Sequence, residues 1–221
     1  MCGRFTLRTS PAVLAEIFEV LRMPDFEPRY NIAPTQQVVA VRQNPALKHR
    51  EAALLRWGLV PSWADDPSIG NRLINARADT VATKPSFRSA FKSRRCLVLA
   101  DGFYEWQKIG SRKQPYLITL RNGAPFAFAG LWESWKKAEP PLESCTLITT
   151  DANAVLEPIH DRMPVILPEE HYDAWLNPAT PAAELQELLK PYPASEMQSQ
   201  PVSTLVNNPR NDSPECVRPL E

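Results

Sequence analysis

The chain has 221 residues with 25 basic and 25 acidic side chains, so its formal net charge is zero and it lacks the overall positive charge typical of many nucleic-acid-binding proteins. Its four cysteines form no C-x-x-C or Cys/His cluster, which disfavours a zinc site, and the length suits one large domain that needs no disulfides. Without an apolar signal-peptide core or a membrane-length apolar run, we expect a soluble, cytoplasmic protein with reduced thiols.

Short strands dominate the predicted secondary structure. Residues 2–7 are predicted to form a strand, and a helix is predicted to begin at Ser10-Pro11 and to end at Leu21, because serine caps helices and proline suits their first turn. Further strands are predicted at residues 37–42, 52–59, 95–99, 103–108, 115–121, 125–131 and 144–150, many of them bounded by proline or glycine.

Helices are predicted to lie at the periphery of these strands. Phe87 and Phe91 are spaced for one face of a short basic helix, and residues 168–176 and 181–189 have helical patterns. Hairpin-length connections between strands favour antiparallel pairing. The sequence therefore predicts an α+β fold with a largely antiparallel, barrel-like β-sheet core. No break in composition divides the chain, so we expect a single domain over residues 1–221.

Charge is unevenly distributed along the chain. Residues 1–110 carry 16 basic and 10 acidic side chains, which leaves 9 basic and 15 acidic side chains in residues 111–221. Residues 80–100 contain no acid and five basic residues, including Lys92 and Arg95. Such a run is more often a solvated face than a binding site, and in that case replacing Lys92 and Arg95 would change little.

The first residues offer unusual chemistry. Initiator methionines are normally removed when the next residue is small, so we expect the mature chain to begin at Cys2. Its α-amine and thiol then have ordinary pKa values of about 8 and about 8.5. Such an aminothiol can catalyse acyl transfer, or it can capture an aldehyde as an imine that the thiol closes to a thiazolidine. The alternative is that Cys2 is an ordinary small residue near a chain end.

Polar residues interrupt several otherwise strand-like or turn-like segments. The segments are residues 29–34 (RYNIAP), 57–63 (WGLVPSW), 75–80 (NARADT), 100–106 (ADGFYEW) and 159–164 (IHDRMP). With the first five residues and the tail at 206–216, they closely resemble the SRAP family, the SOS response-associated peptidases, which are associated with capture of abasic sites in DNA. The resemblance covers essentially the whole chain in the family's order.

The resemblance implies a covalent mechanism. Cys2 is the implied nucleophile toward the ring-opened sugar aldehyde, Glu105 the catalytic carboxylate, His160 the catalytic histidine, and Asn75 an amide near the trapped sugar. Aromatic neighbours would desolvate Glu105 and raise its pKa toward a value suited to a general acid. The alternatives are a Glu105 on the exposed face of a strand, a structural His160, and an Asn75 that caps a turn.

The resemblance also implies a DNA-binding surface. Guanidinium groups suit phosphate oxygens, although each arginine could instead be a structural ion-pair partner. Pro34 and Trp63 are candidates for a wedge and a base-stacking surface, and β-propensity explains Thr149 as well as a DNA contact does. Asp79 departs from the family, which often has Glu there, and Ala64 stands where some relatives have a second Trp. The implied DNA-binding residues are Arg4, Pro34, Trp63, Arg77, Thr149 and Arg162.

The implied partner is single-stranded DNA that contains abasic sites, including sites at junctions between single and double strands. We expect a monomer that needs no metal or organic cofactor and that is nucleoid-associated when it acts on DNA. Three alternatives stay open: an N-terminal-nucleophile glutamine amidotransferase, a noncovalent DNA-binding module, and a peptidase that acts on other proteins. We interpret the peptidase activity in the family's name chiefly as self-removal of Met1, because the sequence shows no independent protease triad.

Overall fold

Two β-sheets form the body of the protein in a computed structural model that describes residues 2–44 and 49–220. Met1 lies outside the described residues, and so does the prediction that it is removed. The strands in chain order are β1 (Phe5–Leu7), β2 (Arg29–Ile32), β3 (Gln37–Gln43), β4 (Arg50–Trp57), β5 (Asn75–Arg77), β6 (Arg95–Ala100), β7 (Gly102–Ile109), β8 (Arg112–Leu120), β9 (Phe126–Trp135), β10 (Leu142–Asp151), β11 (Arg162–Pro164), β12 (Ile166–Leu167) and β13 (Met197–Pro201).

Short helices surround the sheets. None of the helices in the described residues is long and apolar enough to span a membrane. The α-helices are α1 (Pro11–Ile17), α2 (Arg88–Ser93), α3 (Tyr172–Leu176) and α4 (Ala182–Glu187), and the 3-10 helices are Pro67–Arg72, Glu169–His171, Ala194–Glu196, Thr204–Asn207 and Pro214–Val217.

The larger sheet closes into a ring. Its strands pair in the order β10, β4, β3, β6 and β9, and β9 also pairs with β10. Every pair in the ring is antiparallel except β4 with β10. Strands β5 and β11 extend the ring beside β10, and β12 pairs with β9. The predicted α+β fold with a largely antiparallel, barrel-like sheet is confirmed.

The smaller sheet has the order β13, β8, β7, β1 and β2 and packs against the barrel. Phe5 of β1 lies with its ring centre 5.1 Å from that of Trp57, and Phe103 of β7 contacts Phe128 at 6.0 Å. These four buried rings belong to the main hydrophobic core. Aromatic side chains of this size dominate core stabilisation, so the two sheets form one folding unit.

The pairing of β1 with β7 sets the position of the N-terminus. Phe5 lies opposite Phe103, and the Tyr104 amide donates to the Arg4 carbonyl over 2.9 Å. In an antiparallel pair, moving two residues toward the N-terminus of one strand moves two residues toward the C-terminus of the other. The same register therefore places Gly3 beside Glu105.

Helix α1 is shorter than predicted because the chain turns sharply after it. It ends at Ile17, and the Val20 amide donates to the Ala15 carbonyl across Glu19, whose φ is 52°. This is a Schellman arrangement with glutamate at the position where glycine is preferred. Burial of Phe18 and Val20 explains why the helix does not continue to Leu21.

Candidate functional site

A cavity of about 440 Å³ lies where the N-terminal segment meets the end of β7. It brings together two of the predicted catalytic residues, Glu105 and His160, with the residues that follow Cys2. The tail of the chain supplies another part of its wall. The lining residues are Gly3, Arg4, Glu105, Trp106, Lys113, His160 and Asn207.

Glu105 is a buried carboxyl group on a strand that is covered on both faces. Its exposure is 2%, and that of its neighbour Tyr104 is 0%, because Val206 and Cys216 of the tail pack over Tyr104. The alternative of an exposed strand face for Glu105 is therefore wrong. Burial disfavours the charged carboxylate and raises the pKa of Glu105 to about 7. At neutral pH the group is thus divided between its protonated and ionised forms.

Asn75 holds the backbone of Cys2. It is the first residue of β5, whose pairing with β10 places it opposite Leu147. Its Nδ2 donates to the Cys2 carbonyl over 2.8 Å, while its buried Oδ1 has no hydrogen-bond partner among the described residues. Asn75 does not cap a turn here. It fixes the residue that is predicted to carry the nucleophiles.

The thiol of Cys2 is fully buried. Burial raises the pKa of the Cys2 thiol, and the negative charge of Glu105 raises it further. Both effects keep sulfur protonated near neutral pH, so the thiolate, which is the reactive form of a cysteine, is suppressed in this structure.

His160 lies at the end of a turn between β10 and β11. Asn153 Oδ1 accepts the amides of Val155 and Leu156, and the His160 amide donates to the Leu156 carbonyl over 2.8 Å. Two residues beyond Glu105, Gln107 Nε2 donates to the Pro158 carbonyl over 2.8 Å. This hydrogen bond ties the turn that carries His160 to the strand that carries Glu105.

Two neighbouring groups contact Nδ1 of the His160 ring. Its Nδ1 accepts the amide of Arg162 over 3.0 Å, and the same nitrogen lies 2.8 Å from the Asp161 carboxylate. Burial is the largest effect on this residue and lowers the pKa of His160. The Arg162 amide needs the Nδ1 lone pair, whereas the Asp161 carboxylate favours a proton on Nδ1, so these two contacts favour different protonation states of the ring.

Arg4 connects the N-terminal segment to the tail. Its guanidinium donates to Asn31 Oδ1 and to the Val206 carbonyl, each over 2.8 Å. Asn31 Nδ2 donates in turn to three tail carbonyls, and Trp106 Nε1 donates to Asn207 Oδ1 over 2.7 Å. The sequence predictions missed the contributions of Asn31, Trp106 and Asn207, although all three lie inside quoted segments: RYNIAP, ADGFYEW and the tail at 206–216.

Arg77 and Arg162 lie on strands that flank β10. Arg77 is exposed and makes two hydrogen bonds to Asp79, at 3.1 and 2.8 Å, so the shorter carboxylate at position 79 still holds it. Arg162 donates to Asp151 over 2.6 Å and to the Thr149 carbonyl over 2.7 Å. Both arginines therefore already have intramolecular acceptors.

Thr149 supports the sheet between these two arginines. Its side chain is fully buried, and its hydroxyl donates to the Ala76 carbonyl at 3.4 Å. Burial of this kind favours the β-propensity explanation of Thr149 over a direct DNA contact.

Pro34 and Trp63 lie on two separate loops, and neither lines the cavity with Glu105. The Gln36 amide donates to the Ala33 carbonyl, which closes a turn with Pro34 at its second position and Thr35 at φ 73°. This is the geometry of a type II turn, in which a β-branched residue at positive φ is strained. Trp63 is 57% exposed and lines a second cavity of about 220 Å³.

Two further positions are settled by burial. Ala64 is buried, and its carbonyl accepts from Trp135 Nε1 over 2.8 Å, so position 64 packs against the barrel. Arg95 is 3% exposed and donates to the carbonyls of Phe91, Lys92, Trp175 and Asn177. The interpretation of Arg95 as part of a solvated basic face is therefore wrong, whereas Lys92 is exposed.

Comparison with known protein families identifies the one to which this chain belongs. The sequence profile of the family described as SOS response associated peptidase (SRAP) matches residues 1–209. The chain belongs to the SRAP family. Its resemblance to that family, predicted from the motifs, is thereby confirmed.

Relatives of this SRAP chain carry names that refer to one kind of DNA lesion. It is 46% identical to the abasic site processing protein YoqW of Bacillus subtilis, with 98% of this chain and 99% of that one covered. It is 33% identical to the abasic site processing protein YedK of Escherichia coli over the full length of both chains. A match to the abasic site processing protein HMCES of Gallus gallus has 38% identity and covers 92% of this chain and 69% of that one.

A solved structure shares the fold. A crystal structure of a protein from Bacteroides thetaiotaomicron superposes with a TM-score of 0.86 at 27% identity, and the match covers all of both chains. The arrangement of barrel and second sheet is therefore found in an experimental structure as well.

Proposed function

We propose that this protein captures abasic sites in DNA by forming a covalent bond from Cys2 to the ring-opened sugar. One observation carries the proposal: a buried carboxyl group with a pKa of about 7, Glu105, lies in one cavity with His160 and the N-terminal segment. The names of the relatives support the same lesion as the substrate.

The chemistry begins at the amine. An abasic deoxyribose is mostly a closed hemiacetal, and protonation of its ring oxygen by Glu105 favours opening to the aldehyde. After removal of Met1, the Cys2 α-amine attacks the aldehyde carbon, and the carbinolamine loses water to give an imine. The thiol then adds to the imine carbon, its proton passes to nitrogen, and a thiazolidine ring results.

The buried thiol fits this order of events. A protonated sulfur is a poor first nucleophile, so the amine reacts first and the thiol closes the ring. The His160 ring, whose lowered pKa favours its neutral form, relays protons at the carbinolamine. Asn75 keeps Cys2 in place through its carbonyl.

The same observation weighs against a glutamine amidotransferase. Such an enzyme attacks an amide with the thiolate of its N-terminal cysteine, and burial suppresses that species here. A capture reaction needs the thiol only after the imine has formed.

Ring closure by the thiol also removes the imine. Without the imine, the β-elimination that would cut the DNA strand does not occur, so the adduct protects the lesion.

The proposal includes the finer points of partner and place. The substrate is an abasic site in single-stranded DNA or at a junction with double-stranded DNA, bound by a monomer in the cytoplasm that associates with the nucleoid when it acts. Arg4, Arg77 and Arg162 approach the phosphates beside the lesion, and Pro34 and Trp63 contact flanking bases. The only peptide bond cleaved is the one that links Met1 to Cys2. The imine chemistry is of the lyase type.

Intact mass spectrometry with an abasic oligonucleotide tests the proposal. Wild-type protein should give a stable adduct without reductant, whereas Cys2→Ser should give mainly an imine that reduction traps. An uncleavable residue placed before Cys2 should abolish the adduct, because its nitrogen becomes an amide. A stable crosslink from that extended chain would refute the aminothiol mechanism.

Two further variants separate the roles. Glu105→Gln should slow both formation and reversal of the adduct while noncovalent binding stays near normal, because a general acid acts on rate. If Cys2→Ala binds and protects abasic DNA as well as wild type does, the protein is a noncovalent DNA-binding module.

A further inference from the structure

The β7–β8 hairpin carries a cluster of cations that its own fold does not neutralise. The basic hairpin, residues 108–113 (KIGSRK), is exposed throughout and holds Lys108, Arg112 and Lys113 with no acidic residue. None of these three forms an ion pair within residues 2–44 and 49–220. The arginines of the proposed site differ, since Arg77 and Arg162 are bound to carboxylates.

The cross-strand register places two of these cations together. Lys108 lies directly opposite Lys113, and Ile109 lies opposite Arg112. Like charges at directly opposed positions destabilise an antiparallel pair. The hairpin therefore keeps an arrangement that sheet stability does not favour, which points to an anionic group outside the chain.

The turn of the hairpin keeps this cluster in a defined position. Ile109 and Arg112 are joined by the two residues Gly110 and Ser111, and Gly110 has φ 60°. A positive φ at the first residue of a two-residue loop matches the twist of the paired strands. The cations are thus presented on a short, regular hairpin.

The hairpin adjoins the candidate site. Lys113 lines the cavity that contains Glu105 and His160. It also lines a neighbouring cavity of about 490 Å³, which is distinct from the one at Trp63. The lining of that neighbouring cavity is completed by Ile109, Arg112, Gln114 and Thr204. A chain that leaves the first cavity past Lys113 enters a groove with cationic walls.

We propose that the basic hairpin binds the sugar–phosphate backbone of the DNA strand on one side of the captured nucleotide. This inference rests on the proposed function, because the strand starts from the cavity in which the abasic sugar reacts. Arg112 and Lys113 neutralise phosphates in the groove, Lys108 neutralises one beside it from its position opposite Lys113, and the counterions of those phosphates are released. They contribute affinity and carry no sequence information.

Salt titration of binding tests the inference. The probe is a single-stranded oligonucleotide with a tetrahydrofuran analogue, which has no aldehyde, so fluorescence anisotropy reports noncovalent binding by the full chain. The triple variant Lys108→Ser, Arg112→Ser and Lys113→Ser should lower the slope of log K against log salt by roughly 2, at about 0.7 per phosphate contact. At 0.1 M salt this corresponds to roughly 100-fold weaker binding.

A matched variant controls for net charge. Lys84, Arg88 and Lys92 are also exposed and lie at or near α2, so the triple variant Lys84→Ser, Arg88→Ser and Lys92→Ser removes the same charge elsewhere. This control should keep the wild-type slope. Equal losses in the two triple variants, or no loss in the hairpin variant, would overturn the inference. The single variant Lys113→Gln, which should lower the slope by about 0.7, repeats the test with minimal change.

Oligonucleotides that extend on one side of the analogue only show which part of the DNA strand contacts the basic hairpin. Oligonucleotides with nucleotides only 5′ or only 3′ of the analogue should differ, and the hairpin variant should weaken binding of one of them only. Equal weakening of both would contradict a one-sided path. Failure of wild type to form the Cys2 adduct with a reactive abasic site would refute the proposed function and leave this noncovalent measurement as a separate result.

Discussion

Replacement of Glu105 by Gln should stabilise the protein at alkaline pH. The folded-state pKa of Glu105 is about 7, against an ordinary value of 4.5, because burial penalises the carboxylate. Because the carboxyl pKa is raised in the fold, the folded state binds more protons than the unfolded state at pH values between 4.5 and about 7. The associated stability is complete below pH 4.5 and is lost as pH rises through 7.

The size of the effect follows from the shift. Relative to a carboxyl group that stays protonated, Glu105 lowers the free energy of unfolding by about 1 kcal/mol at pH 5, where only the unfolded chain ionises, and by about 3 kcal/mol at pH 8. Glu105→Gln removes this penalty and keeps a similar side-chain volume. The free energy of unfolding of the variant minus that of wild type should therefore be roughly 2 kcal/mol larger at pH 8 than at pH 5.

Urea unfolding at the two pH values measures this gain, provided that the slope of unfolding free energy against urea is unchanged. Glu184→Gln, at an exposed position of α4, controls for the loss of one negative charge and should show no such pH dependence. A stability difference between Glu105→Gln and wild type that is the same at pH 5 and pH 8 would refute the assignment of a buried, raised-pKa carboxyl group.

The remaining predictions concern basic residues. Arg77→Ala should lower the salt slope of single-strand binding by roughly 0.7 if it contacts a phosphate, and Asp79→Asn should tighten binding by removing its intramolecular competitor; an unchanged slope would remove Arg77 from the interface. Arg95→Ala should lower the free energy of unfolding by about 3 kcal/mol, because it removes four buried hydrogen bonds from a cationic donor to backbone carbonyls. Lys92→Ala should stay within about 0.5 kcal/mol of wild type in the same urea titration, and comparable losses for both would contradict the structural role of Arg95.

Strands that carry their own pattern were predicted well from the sequence. The strand predicted at residues 103–108 is observed at Gly102–Ile109, and the one predicted at 144–150 is observed at Leu142–Asp151. Alternation of apolar residues and bounding turns are local signals. They survive in the fold because both strands have apolar residues to bury.

Strands with polar sequences were missed. β5 reads NAR, and β13 reads MQSQP, and neither has an apolar alternation. Each becomes a strand because a neighbour offers a free edge: β10 pairs with β5, and β8 pairs with β13. Information of this kind lies in the partner strand, so a local pattern does not contain it.

The site shows the same division. The chemical types of Cys2, Glu105 and His160 could be read from the sequence, with their roles implied by family resemblance. Their juxtaposition depends on the register of β1 against β7 and on the hydrogen bond from Gln107 that ties the His160 turn to β7. Both are long-range contacts, which no local spacing in the sequence specifies.

Complete burial of β7 required the tail as well as the strand. Alternation along β7 alone leaves the Tyr104 face open to solvent, yet Val206 and Cys216 cover that face by packing on Tyr104. Asn31 holds the tail there through its carbonyls, and Arg4 bonds to both Asn31 and Val206. A residue predicted for phosphate binding therefore also holds the tail segment that covers the Tyr104 face of β7, opposite the face that carries Glu105.

The two sets of cations differ in what they can contribute to DNA binding. Arg77 and Arg162 are held by carboxylates, so a phosphate must share or displace an existing acceptor, and the net gain in free energy is small while the geometry is fixed in advance. Lys108 and Lys113 have no such acceptor within the described chain and instead repel each other across the hairpin. A phosphate near them would relieve this repulsion, so we expect the held arginines to position the strand and the hairpin to supply much of the salt-dependent affinity.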